Sequence, residues 1–259
     1  MGIRIATRKL RLATPVLIVG LAATQAQATP WPGPDGYYVG ESTAYNLRDL
    51  SGSSVLVSGD DKTASVSLPF DFDFYGTVYR EAVVSTNGVF GFGSPNATYC
   101  CTSQPIPSAG DYSNFIAPFW MDWVSTVSGS TVGAAGAREF ILDWRGYEYA
   151  RSGSVGHFQA ILHEGSSEIE LQYEQTPSSI SHVATIGVTN NGSTDGLQYL
   201  YVKPDPAPAT IGAMNGTGLL IKHAVAAPVD GTVPEPGSLA LAGLGLVGVF
   251  ASRRRKPED

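Results

Sequence analysis

Apolar and polar residues alternate strictly along much of the chain between Val66 and Tyr201. In the run Val66 to Phe74 every even position is apolar, and every odd one is serine, proline or aspartate. A period of two places one set of side chains on a buried sheet face and the other in water. Ala82 to Thr86 and Val89 to Phe92 flank Asn87-Gly88, a hairpin signal because both residues tolerate positive φ. Phe140, Leu142 and Trp144 form one inward set, Phe158, Ala160 and Leu162 a second, and Ile169, Leu171 and Tyr173 a third, alternating with Glu168, Glu170 and Gln172. Ala184 to Val188 runs into a turn at Asn190-Asn191-Gly192, Leu197 to Val202 returns, and Leu219 to Val225 supplies a last strand. No segment between residues 31 and 226 sustains a period of 3.6. The pattern predicts an all-β body, a single antiparallel β-sandwich from Thr29 to Ala226, with a jelly roll as the nearest competitor.

Composition agrees with that pattern. Of 259 residues, 30 are glycine and 17 proline, too turn-rich for a helical bundle and too aperiodic for collagen. A hydrophobic share of 43% with 15% charged residues excludes a disordered chain. The net charge of −7 hides a segregation. Eight basic residues lie at the two ends, whereas residues 29 to 233 hold eight basic against twenty acidic ones. An acidic body repels phosphate backbones, which argues against a nucleic-acid partner.

Both ends read as address labels. Basic residues up to Arg11 precede an apolar stretch from Leu12 to Ala23, too short to span a bilayer comfortably, and a small-x-small site at Ala26-Gln27-Ala28. This is the layout of a secretory signal peptide over residues 1–28, cleaved after Ala28; an uncleaved anchor is the alternative. At the other end, residues 227–233 form a linker to Pro234-Glu235-Pro236, an uncharged run Leu239 to Ala251, and Arg253-Arg254-Arg255-Lys256. Prolines either side of Glu235 keep the motif extended and out of helix or sheet. A helix from Gly237 to Ser252 would be about 24 Å long, slightly short of a hydrocarbon core of about 30 Å, a deficit that snorkelling arginines cover. The basic cluster stops transfer and stays cytoplasmic, which puts the body on the far side of the membrane. Gly243-Leu244-Gly245-Leu246-Val247-Gly248 imitates a dinucleotide-binding fingerprint, but no strand precedes it and too little chain follows.

The ordered triad of Pro-Glu-Pro motif, apolar span and basic end, over residues 234–256, resembles the PEP-CTERM sorting signal of Gram-negative bacteria. The resemblance implies an exosortase substrate. The export machinery and the exosortase are then its partners, the C-terminal helix anchors an inner-membrane intermediate, and the destination is the cell surface or extracellular matrix, with exopolysaccharide as a further candidate partner. The body has its own likeness. Asp60-Asp61, Leu68-Pro69-Phe70, Phe74-Tyr75-Gly76, Ser85-Thr86-Asn87-Gly88 and Ala117-Pro118-Phe119-Trp120-Met121-Asp122 resemble a β-rich module of bacterial secreted proteins, and more remotely nidogen-type extracellular proteins. Phe158 to Leu162 and Ala184 to Val188 fit its later strands. This likeness implies a fold and an extracellular accessory role and transfers no catalytic residue.

Candidate chemistry is thin. Cys100 and Cys101 are the only cysteines, and they are adjacent. A vicinal disulfide, two free thiols or intermolecular bridges all remain open, and no zinc spacing is present. His157 and His163 share a strand face but lie near 20 Å apart at about 3.3 Å per residue, too far for one metal; His182 and His223 fit no motif. Glu168 and Glu170 stand about 7 Å apart on one predicted face, a spacing open to glycoside hydrolysis, in a composition that also suits a solvated sheet. Asp71-x-Asp73 with Gly76 begins like a calcium loop, but Tyr75 and Ala82 exclude an EF-hand. A looser calcium site would draw on Asp60, Asp61, Asp71, Asp73 or Asp122; no other cofactor is expected. Tyr75, Tyr99, Tyr112, Tyr147 and Tyr149 fall near turns, where exposed rings could stack on sugars. The expectation is an exported surface or matrix protein without enzymatic activity, linked to exopolysaccharide or biofilm. A carbohydrate- or calcium-binding adhesion module is the alternative, and a glycoside hydrolase the third.

Overall fold

The computed structural model describes residues 36–93, 100–107, 112–205, 208–212 and 214–224. Among them are fifteen strands and no helix. One sheet has seven antiparallel strands in the order β1 (Tyr38–Thr43), β15 (Thr217–His223), β10 (Ile169–Gln175), β9 (Arg151–His163), β8 (Glu139–Glu148), β7 (Trp123–Val132) and β2 (Ser54–Asp60). The other has six, in the order β13 (Gly196–Val202), β12 (Ala184–Thr189), β6 (Phe115–Trp120), β5 (Val89–Phe92), β4 (Thr77–Ser85) and β3 (Thr63–Phe74). A two-stranded pair, β11 (Ser179–Ile180) with β14 (Ala209–Thr210), completes the set.

The two large sheets pack face to face, and the period-two reading places their contact correctly. Val66, Leu68, Phe70, Phe72 and Phe74 of β3 all point into a shared core with Phe140, Leu142 and Trp144 of β8 and Phe158, Ala160 and Leu162 of β9. Trp144 stacks on Phe158, opposite it in the register, at 5.6 Å and meets Phe90 of the facing sheet at 6.1 Å. Polar tips of these buried rings are satisfied: Trp144 Nε1 donates to the Ser85 carbonyl at 2.8 Å, and Tyr173 Oη to that of Pro118 at 2.7 Å.

The hairpin at Asn87-Gly88 exists, with a correction. Ser85 pairs with Val89, so Thr86, Asn87 and Gly88 form a three-residue loop in which, of these, only Gly88 takes positive φ, at 71°. The loop is buried under residues 119–123, and Asn87 is its anchor: Oδ1 accepts from the Trp123 amide at 2.9 Å, while Nδ2 donates to Asp61.

A second correction concerns the outer face of the seven-stranded sheet, expected to be wet. β1 and β2 occupy opposite edges, so residues 44–53 must cross the whole sheet. Six strand spacings of about 4.8 Å make roughly 29 Å, close to the reach of an almost fully extended ten-residue segment. This strap is fastened by glutamines. Gln172 Oε1 accepts from the Asn46 amide and Gln159 Oε1 from the Arg48 amide, while their Nε2 groups donate to the carbonyls of Ala44 and Arg48. Leu50 then covers Ile141 and Ile161. Each glutamine acts as a surrogate strand partner.

Candidate functional site

The strap carries Arg48 into the sheet's outer face. Its Nε and Nη2 donate to Glu139 at 2.9 and 2.8 Å, and Nη1 and Nη2 to Glu170 at 2.8 and 2.9 Å. His163 Nε2 lies 3.1 Å from Glu170. Burial pushes the Glu170 carboxyl up, but hydrogen bonds from His163 and Arg48 outweigh it and hold the group down at about 2. Glu139 is lowered as well, chiefly by Arg48. Glu170 is therefore neither solvated nor a proton donor near neutral pH. Its predicted companion Glu168 precedes β10, is half-buried, and contacts Ser166. Arg48 already supplies a cation to the cluster Glu139, His163 and Glu170, which would otherwise have metal-ligand geometry.

His157 meets Asp143 at 2.8 Å, and Asp143 also accepts from Gln159 and Arg145. No hydroxyl or thiol is bonded to the His157 ring among the described residues, so the pair lacks the nucleophile that a triad needs.

Glu148 organises one end of the sandwich. Completely buried, it accepts from Ser154 Oγ, Arg151, the amides of Ser181 and His182, and the His182 ring. Burial raises its carboxyl, and these donors lower it to a net fall. A carboxylate only accepts, so His182 Nδ1 carries a proton toward Glu148, and Nε2 lies 3.8 Å from Asp122 Oδ2.

Asp122 lies beside Asp60 and Asp61, with one oxygen of each within 4.8 Å of the others. Asp61 Oδ1 accepts from Asn87 Nδ2 at 2.7 Å, and Oδ2 is 3.2 and 3.5 Å from the sulfurs of Cys100 and Cys101. Those cysteines are joined to each other. A bridged sulfur has no proton to donate, so its approach to Asp61 is a contact and not a hydrogen bond, and it offers no thiolate to a metal. Desolvation raises the Asp122 carboxyl to about 6; His182 opposes the rise, and the charges of Asp61, Asp60 and Glu148 add to it.

Asp71 and Asp73 are not part of this group. Asp71 pairs with Arg80, and Asp73 accepts from Tyr37 Oη at 2.8 Å and the Gly76 amide at 3.0 Å. They sit toward the far end of β3 from Asp61, roughly 30–40 Å along the strand. The predicted aromatics scatter likewise. Tyr75 packs against Tyr37, Tyr38 and Phe74, and Tyr112 against Trp120, whereas Tyr147 and Tyr149 are exposed and Tyr149 meets the His182 ring edge-on at 6.4 Å. Tyr99, the signal peptide with Ala26 and Ala28, Pro234-Glu235-Pro236, the apolar run and Arg253 to Lys256 lie outside the described residues. Among the described residues no helix is long and apolar enough to cross a membrane.

A family model described as NIDO related matches residues 36–231, which is most of the chain. The chain belongs to the NIDO-related family. A second model, the PEP-CTERM protein-sorting motif, matches residues 232–256. No curated protein and no solved structure matches. The NIDO-related body is thus followed directly by a sorting motif, which marks the chain as an exported, exosortase-sorted protein. Within the NIDO-related domain, Arg48, Glu139 and Glu148 escaped sequence reasoning because their partners are 91 or more residues away in the first case, and in the last include Ser181 and His182, 33 and 34 residues on. One signal was legible: cations are so scarce in the acidic body that a buried arginine is bound to clamp carboxylates.

Proposed function

We propose that this NIDO-related protein is a non-enzymatic component of the cell surface or extracellular matrix, delivered there by an exosortase and associated with exopolysaccharide or biofilm. The observation that carries the reading is the junction at residues 231 and 232, where the body gives way to the sorting motif. The pairing of Glu139 and Glu170 with Arg48, and of Glu148 with Arg151, supports the absence of chemistry: carboxylates held by arginine and backbone donors are structural groups. Intact-mass analysis of the protein recovered outside the cell tests the proposal, comparing wild type with a strain lacking the exosortase. The mass of a chain cut near Pro234 to Pro236 is expected from wild type, with unprocessed, cell-associated chain in the other strain. Unprocessed chain outside wild-type cells would overturn it.

A second reading, a carbohydrate-binding adhesion module, is favoured by Tyr149, which is 45% exposed beside His182 and donates its amide to the Asp122 carbonyl. Binding to a glycan array that falls on Tyr149→Ala would support it, and an unchanged profile would remove it.

A further inference from the structure

The acids at the end of the sandwich near Glu148 differ from the other acidic clusters in having no cation. Arg48, Arg80, Arg138, Arg145, Arg151 and Lys222 are each engaged with carboxylates elsewhere, and among the described residues no lysine or arginine pairs with Asp60, Asp61 or Asp122. Three carboxylates converge with no lysine or arginine between them, and each leaves an oxygen without a hydrogen-bond donor among the described residues. Asp60 Oδ1 is buried with no hydrogen-bond partner. Asp61 Oδ2 faces two bridged sulfurs, which present lone pairs to it. Asp122 is only 7% exposed, its carboxylate makes no hydrogen bond among the described residues, and one of its oxygens lies within 4.8 Å of an oxygen of each of the other two. His182 Nε2 stands 3.8 Å from Asp122 Oδ2, beyond hydrogen-bond distance, while its Nδ1 is bonded to Glu148. Burying the Asp122 carboxylate without a hydrogen-bond donor costs several kcal/mol, which a cation bound beside it would offset.

We propose that Asp60, Asp61 and Asp122 bind a calcium ion. All three donors are hard oxygens, and a spread of up to 4.8 Å is one that Ca–O bonds of about 2.3–2.6 Å can bridge around a single ion. Magnesium, at about 2.0–2.1 Å, spans less, and zinc prefers nitrogen and thiolate, which the bridged cysteines do not provide. The site is held by parts already described. Asn87 fixes Asp61 from the buried hairpin loop, and Asp122 follows Met121, whose amide is bonded to the Asn87 carbonyl. Calcium would thereby tie the start of β3 to the β6–β7 turn across the two sheets. The inference does not rest on the sorting reading, which concerns residues 232–256.

The test uses the full-length chain purified in detergent and stripped with EDTA. Calcium titration is expected to give a Kd of about 10⁻⁴–10⁻³ M, the range of extracellular modules. At a hundredfold excess over Kd the Tm should rise by roughly 5–10 °C. Terbium should bind in calcium's place and luminesce on tryptophan excitation, since Trp123 adjoins Asp122. Asp122→Asn and Asp60→Asn should each abolish the calcium-dependent rise. In EDTA, Asp122→Asn should melt higher than wild type, because it relieves repulsion; a merely structural aspartate would give the opposite. Asp71→Asn, at the far end of β3, should respond as wild type. No calcium response in wild type, a full response in Asp122→Asn, equal loss in Asp71→Asn, or tighter binding of zinc than of calcium would each overturn the proposal.

Discussion

Arg48 is the residue on which the outer face of the seven-stranded sheet turns. Its side chain is 14% exposed, and the guanidinium serves Glu139 and Glu170 together. Replacing it with methionine strands two carboxylates, and Arg48→Met is expected to lower unfolding free energy by about 3 kcal/mol, measured by urea denaturation. Removing Glu170 as well should recover part of that loss in a double-mutant cycle. The same cluster sets a pH dependence. Glu170 is held near 2 in the folded protein against an ordinary value of 4.5, so the unfolded chain binds the proton more tightly. Its stabilising contribution is complete above about pH 5 and fades as pH falls from 4.5 toward 2, worth roughly 3 kcal/mol in all. Denaturation midpoints followed from pH 6 to pH 2 should show this loss, and Glu170→Gln should flatten it. Gly88 is a residue-scale constraint of another kind. At φ 71° an added Cβ would meet the Phe119 carbonyl oxygen at 2.1 Å, so Gly88→Ala should cost about 3 kcal/mol or more in the same assay.

Among the elements, the strap of residues 44–53 behaves unlike a loop. It has no regular secondary structure, yet Asn46 and Arg48 have their amides bonded to glutamine side chains from β10 and β9. Gln172→Leu should cost about 1–3 kcal/mol by leaving backbone groups of Ala44 and Asn46 unsatisfied. Hydrogen exchange should then show the Asn46 amide losing protection while the amides of β9 keep theirs. The glutamines were visible in the sequence only as the polar half of an alternating strand. Their role depends on β1 and β2 lying at opposite edges, and nothing local to residues 157–175 encodes that. β1, β2 and β7 were equally illegible, since Ser54–Asp60 and much of Trp123–Val132 are rich in serine, threonine and glycine and carry no clean apolar period. The cores of β3, β8, β9 and β10 were legible because half of each strand faces a shared aromatic interior.

For the molecule as a whole, the NIDO-related body and the sorting motif are separate in chemistry as well as in position. Body stability comes from two packed sheets and the strap, and sorting from residues 232–256. Replacing Pro234, Glu235 and Pro236 with alanines is therefore expected to block processing and leave the melting temperature of the body unchanged. Intact mass and thermal denaturation of the same preparation check both halves of that statement.

Patterns that repeat within a few residues were settled by the sequence alone: the β class, the inward faces of the longer strands, the Asn87-Gly88 reversal and the sorting triad at the C-terminal end. Each follows from local geometry, where a period of two or a pair of prolines has one physical meaning. What needed the tertiary structure was every charge partnership. Whether Glu170 faces water or an arginine, and whether Asp122 stands with Asp73 or with Asp60 and Asp61, depends on which distant strands become neighbours. Electrostatic energy is set by separation through space, and in an antiparallel sandwich residues more than a hundred positions apart can end within 3 Å.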